Sequence, residues 1–171
     1  MAASAKYRSL WGEAMIPFPR EAWTDAGLPP GSLPEGDEIP MEVEVVFTSL
    51  LKGEIGMYDP IQLTTENGKL DVLLIVVGAV QDNTDLLYVI DPKTDEVLQF
   101  DLVEQDIQGV NTNFRCFVEF LYHFERFIEA DEGKPGRAGK AAELQERLRA
   151  VDPNAFQPDA WWPLVLEQLT A

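Results

Sequence analysis

Few side chains in this 171-residue chain stand in a pattern that could do bond-making chemistry. His123 is the single histidine and Cys116 the single cysteine. Arrangements needing two imidazoles, intrachain disulfides and multi-cysteine metal sites are therefore ruled out by count. His123 follows Tyr122 on a helical pattern and reads as a structural histidine rather than a general base. Cys116 falls on the apolar side of the same pattern and reads as a small core residue. Ser4, Ser9, Ser32 and Ser49 lack the context of a nucleophile elbow. No phosphate loop or glycine-rich dinucleotide fingerprint is present. Carboxylates are abundant, and a pair of them could serve glycoside hydrolysis. With 30 acidic residues in the chain, though, some pair can always be nominated. Oxygen ligands also suit calcium or magnesium. Yet Asp82-Asn83-Thr84-Asp85 and the run from Asp91 to Glu96 lack the spacing and terminal glutamate of a calcium loop. The residues name no reaction and no cofactor, and the expectation is a protein that is not an enzyme.

The acids carry a second kind of information. The formal net charge is −17, and 17 acidic residues against three basic ones lie between Gly31 and Thr112. Solubility alone accounts for an acidic protein. A field of this sign also repels nucleic acid and anionic membranes and speeds the encounter with a basic partner. The acids read as candidate partner contacts are Glu42, Glu44, Asp82, Asp85, Asp95, Asp101, Glu104 and Asp106. An apolar groove beside the segment from Asp131 to Gly139 is the alternative interface.

The elements that must hold these side chains begin with a short helix from Ala3 to Met15, presenting Tyr7, Leu10, Trp11 and Met15. A second runs from Arg20 to Ala26, where Gly27 suits a left-handed cap. An ordered proline-rich loop anchored by Leu28 and Leu33 completes an N-terminal region over 1–36. The sheet is expected over 41–102. Met41 to Phe47 alternates, so Met41, Val43, Val45 and Phe47 share one face of a strand and Glu42 and Glu44 the other. Ile55 to Leu63 holds one or two short strands. Asn67-Gly68 is a hairpin signal, and Leu70 to Val80 is apolar enough for a central strand covered on both faces. Leu86 to Ile90 and Val97 to Leu102 make a hairpin around Asp91-Pro92. A polar stretch then leads to Asn113, able to cap a helix over 113–130 with Phe114, Phe117, Val118, Leu121, Phe124 and Ile128 at helical spacing. Residues 131–139, with three glycines and a proline, read as a flexible loop. Two C-terminal helices fill 140–171, the last N-capped by Asp159 with Trp162, Val165, Leu166 and Leu169 packed. The fold class is α+β: one domain, a central antiparallel or mixed sheet with helices on one side and a helical C-terminus. The N-terminus lacks a signal-peptide pattern and no apolar run is long enough to span a bilayer, so a soluble, cytoplasmic protein is expected.

Five short segments, in this order, resemble the SUKH superfamily, in particular its fourth branch of bacterial immunity proteins. Ala26-Gly27-Leu28-Pro29 is similar to an early "GLP" element. Leu73 to Gly78 is similar to a strand running into a glycine. Leu87 to Asp91 with Thr94 to Val97 resembles the family hairpin, with Asp95 where a glycine is usual. Val110 to Phe114, with Phe117, Phe120 and Leu121, resembles a "VNSS…F…FL" stretch, with Thr112 and Asn113 in place of the serines. Asp152 to Ala155 with Trp161, Trp162 and Leu166 resembles a "DP.A…W" segment. The resemblance implies an immunity protein that binds and blocks a cognate toxin of a polymorphic toxin system. Such toxins are often basic and act on nucleic acid, which agrees with the charge reading. Neither nucleic acid nor membrane is expected as a partner, and the chain is expected to be a monomer or weak homo-oligomer. Two other readings stay open: an intracellular adaptor with the same fold, and a carboxylate-dependent hydrolase.

Overall fold

In the computed structural model, which describes residues 5–49, 51, 56–64, 71–81 and 83–169, the branched run at the middle of the chain is indeed a central strand. In chain order the elements are α1 (Ala5–Trp11), β1 (Met15–Pro17), α2 (Arg20–Asp25), β2 (Glu38–Pro40), β3 (Glu42–Val43), β4 (Phe47–Thr48), β5 (Pro60–Thr64), β6 (Asp71–Val80), β7 (Asn83–Ile90), β8 (Val97–Asp101), β9 (Asp106–Asn111), α3 (Phe114–Ala130), α4 (Lys134–Val151) and α5 (Trp161–Leu169). β1 and β2 form a small antiparallel ribbon. The main sheet is antiparallel, in the order β3-β4-β6-β7-β8-β9, with β5 pairing the first half of β6. One row of paired residues crosses it from edge to edge: Glu42, Thr48, Ala79, Leu87, Phe100 and Ile107.

The two faces of the sheet are apolar for different reasons. On one, Tyr88, Ile90, Val97 and Val110 meet Phe114, Phe117, Leu121 and Phe124 of α3, and Trp162 of α5 packs on Phe120 at 5.3 Å between ring centroids. On the other, Leu74, Val76, Ala79, Leu87, Val89 and Phe100 form a second cluster, to which Leu51 and Ile61 add cover. A strand buried on both faces should be a continuous apolar run, and β6 is one. The register of β6 slips at Gly78, where an added Cβ would lie 2.2 Å from the Phe47 ring. No other residue fits that crossing. The result is a single α+β domain with helices packed on one side of the sheet.

Five expectations need correction. Met41 to Phe47 is a pair of two-residue strands with a turn at 44–46, not one strand, so Val45 is 57% exposed and Val46 is buried instead. The sheet extends past 102, because β9 adds an edge strand beside β8. The segment 131–139 is helical from Lys134: Pro135 sits in the first turn, where its missing donor costs nothing, and Ala141, Leu144 and Leu148 bury the following face. Finally, α1 stops at Trp11 and Met15 belongs to β1. Asp159 is not a cap; it adopts φ 67° two residues ahead of α5. Leu28 and Leu33 are buried as expected, and Asn113 caps α3, its Oδ1 accepting from the Cys116 amide at 2.9 Å. Asn67-Gly68 lies outside the described residues.

Candidate functional site

Antiparallel pairing decides which acids can act together. Asp101 at the end of β8 pairs with Asp106 at the start of β9 and with Leu86 of β7, so Asp85 lies at the same strand ends. Leu102 donates its amide to the Asp85 carbonyl at 2.9 Å and closes that edge. The β3–β4 turn reaches this end too: Thr48 pairs with Ala79, and Val45 donates its amide to Gln81 Oε1 at 2.7 Å. Gln81 Nε2 in turn donates to Glu42 at 3.4 Å. Glu42, Glu44, Asp85, Asp101, Glu104 and Asp106 therefore share one end of the sheet. None of the six has an ion-pair partner among the described residues. Asp95 is at the opposite end, in the β7–β8 turn, and Asp82 lies outside the described residues.

The six differ in what they already do. Asp101 Oδ1 accepts from the Val103 and Glu104 amides at 2.9 and 3.0 Å, holding the β8–β9 turn. Glu44, Asp85, Glu104 and Asp106 are exposed. Glu44 also faces α3: burial, then the nearby charges of Glu129 and Glu44, push the Glu125 carboxyl above the usual carboxylate range.

Glu44 marks the edge of an apolar groove of about 650 Å³ between the β3–β4 turn, the end of α3 and α5. Phe127, Ile128, Trp161, Leu164 and Val165 line it, with Val45 on the turn. Its walls are fixed by one side chain. Trp161 Nε1 donates to the buried Tyr88 hydroxyl at 3.0 Å, and Tyr88 donates to the Val46 carbonyl at 2.6 Å. At the far rim Arg137 grips Asp131 with two bonds, 3.2 and 2.8 Å, and holds that carboxyl below its ordinary range. The groove thus offers Glu44 and an ion-paired Asp131. A carboxylate-dependent hydrolase needs two converging acids, one of them held protonated; Glu125, whose carboxyl is raised, does not line the groove.

The two lone reactive side chains are both built into the scaffold. Burial pushes the Cys116 thiol up to about 11, which keeps it protonated. His123 Nε2 lies 3.7 Å from Glu119, and burial pushes its imidazole below the ordinary value despite that carboxylate. Burial alone would raise Glu119, but bonds from Lys6 and Tyr7 hold it low. Among the described residues no group of three or more His, Cys, Asp or Glu is placed to hold a metal ion, and no helix is long and apolar enough to cross a membrane.

Sequence reasoning nominated the acids as candidates and did not foresee the turn that brings Glu44 to the groove. Val45 is the reason: its place in an alternating run points inward, and only the pairing of Val43 with Phe47 turns it out. Two of the five segments that carry the family resemblance, Val110 to Phe114 and Asp152 to Ala155 with Trp162, meet in one polar knot. Asp152 accepts from Asn111 Nδ2 at 3.0 Å, the Thr112 amide at 2.7 Å and Thr112 Oγ1 at 2.7 Å, and Trp162 Nε1 donates to Asn111 Oδ1 at 2.9 Å. Residues 19–168 match the family model of the SUKH-4 immunity protein. No curated protein and no solved structure matches the chain.

Proposed function

The chain belongs to the SUKH-4 immunity protein family, and we propose that it binds one cognate bacterial toxin with a basic working surface and blocks it by occupying that surface. The observation that carries this reading is the gathering of Glu42, Glu44, Asp85, Asp101, Glu104 and Asp106 at one end of the sheet, without ion-pair partners among the described residues. Charges left unpaired on a rigid edge cost little in water and are available to a cationic surface. A toxin that acts on nucleic acid must carry such a surface, since phosphate neutralisation supplies most of its grip on substrate. The immunity protein competes with a polyanion by presenting carboxylates in its place. It needs no catalytic group for this, and it works from the cytoplasm of the producing cell.

Charge reversal tests the reading. Glu42, Glu44, Asp85 and Glu104 are replaced together by lysine; Asp101 is spared because it holds a turn. Affinity for the purified toxin domain should fall by two orders of magnitude or more, on the order of 3 kcal/mol, with an unchanged melting curve. Unaltered affinity removes the electrostatic account.

A further inference from the structure

We propose that the groove between the β3–β4 turn and α5 is the anchoring half of the toxin interface, and that it takes a large apolar side chain of the toxin with a lysine or arginine beside it. This rests on the inhibitor reading above and names the surface that reading leaves open.

Three observations converge on it. Val45 adopts φ 77° and is 57% exposed. A β-branched residue in the left-handed region is strained, and its side chain gains nothing from the core. Folding alone would favour glycine or asparagine at that position. Strain held at an exposed apolar residue points to a binding role. Leu164, across the groove on α5, is 45% exposed, so two of the four large exposed hydrophobics of the described residues face one concavity. Second, the groove is preformed: Tyr88 ties the turn to Trp161 through two hydrogen bonds, so binding need not order it. Third, its charge is one-sided where it meets the strand ends. Glu44 is at the lip, Glu129 and Glu44 both stand close enough to Glu125, just outside the lining, to disfavour its charge, and none of the three has an ion-pair partner among the described residues. Asp131, on the opposite rim, is already taken by Arg137. A cationic side chain entering beside an apolar one therefore meets its complement on the Glu44 side. An apolar anchor ringed by polar contacts is how interfaces concentrate their energy.

The probe is the toxin domain captured by the 171-residue chain from its native host, purified and titrated with that chain by calorimetry at two salt concentrations. Val45→Gly relieves the backbone and removes the exposed side chain. The expected result is an equal or higher melting temperature with binding weakened at least about tenfold. Leu164→Ser should weaken binding similarly, whereas Leu73→Ser, which is 49% exposed outside the groove, should not. Glu44→Gln with Glu125→Gln should flatten the salt dependence. Full affinity in Val45→Gly and Leu164→Ser, with loss only on reversal of the strand-end acids, overturns the groove and leaves the inhibitor reading standing. A toxin domain that fails to bind the unaltered chain overturns both. Self-association of the chain that Val45→Gly abolishes, with toxin affinity intact, assigns the groove to a second copy and overturns the proposal.

Discussion

Asp95 occupies a left-handed position, φ 69°, in the β7–β8 turn. Its amide donates to the Asp91 carbonyl at 2.8 Å, which fixes the turn and with it the conformation of Asp95. Left-handed backbone costs most L-residues about 1–2 kcal/mol, and aspartate somewhat less. Asp95→Gly should therefore stabilise the fold by about 0.5–1 kcal/mol in urea unfolding. A loss of stability would mean the Asp95 side chain does more than fill the position. His123 gives a pH prediction. Its imidazole is held below its ordinary value, so the folded state favours the neutral form. That contribution is complete above about pH 6.5 and is lost as the pH falls below it. Lys6, Arg126 and Arg147 add to the cost of a charged ring, and Glu119 opposes them. Stability measured at pH 7.5 and 5.5 should drop in the native chain and drop less in His123→Gln; parallel losses would assign the acid sensitivity elsewhere. Single residues were legible where local chemistry ruled them, as with Asn113 at its cap, and illegible where pairing did, as with Val45.

At the scale of elements, α3 could be read directly because eight of its residues are buried at one helical face and their spacing needs no partner to be seen. β9 could not: Asp106 to Asn111 alternates weakly, and only β8 beside it makes it a strand. The start of α4 was hidden by Gly136 and Gly139, each unfavourable by about 1 kcal/mol in a helix; both face open space there, so nothing but propensity opposes them. The packing of Ala141, Leu144 and Leu148 outweighs that cost. The knot around Asp152 joins the last two of the five family segments into one hydrogen-bonded junction of β9, the end of α4 and α5. Asp152→Ala leaves the buried Asn111 amide without its acceptor, removes those of the Thr112 N–H and hydroxyl, and should cost about 1–3 kcal/mol. Asp152→Asn, which keeps one acceptor, should recover part of it. Equal losses in both would locate the effect in the backbone turn at Pro153.

For the whole molecule, composition placed the charge on the sheet region but could not say where on the sheet. Strand register does that, carrying six of the eight nominated acids to one end and sending Asp95 to the other. The same register brings Glu44 to the groove, so the charged and apolar candidates become neighbouring parts of one surface. Long-range attraction would then deliver a basic partner to that surface. The dissociation constant of the toxin-domain complex, followed from low to high salt for the native chain and for the Glu42, Glu44, Asp85 and Glu104 lysine variant, tests it most directly. The prediction is steep weakening with salt in the native chain and a weak, nearly flat line in the variant. Two coincident lines would contradict it.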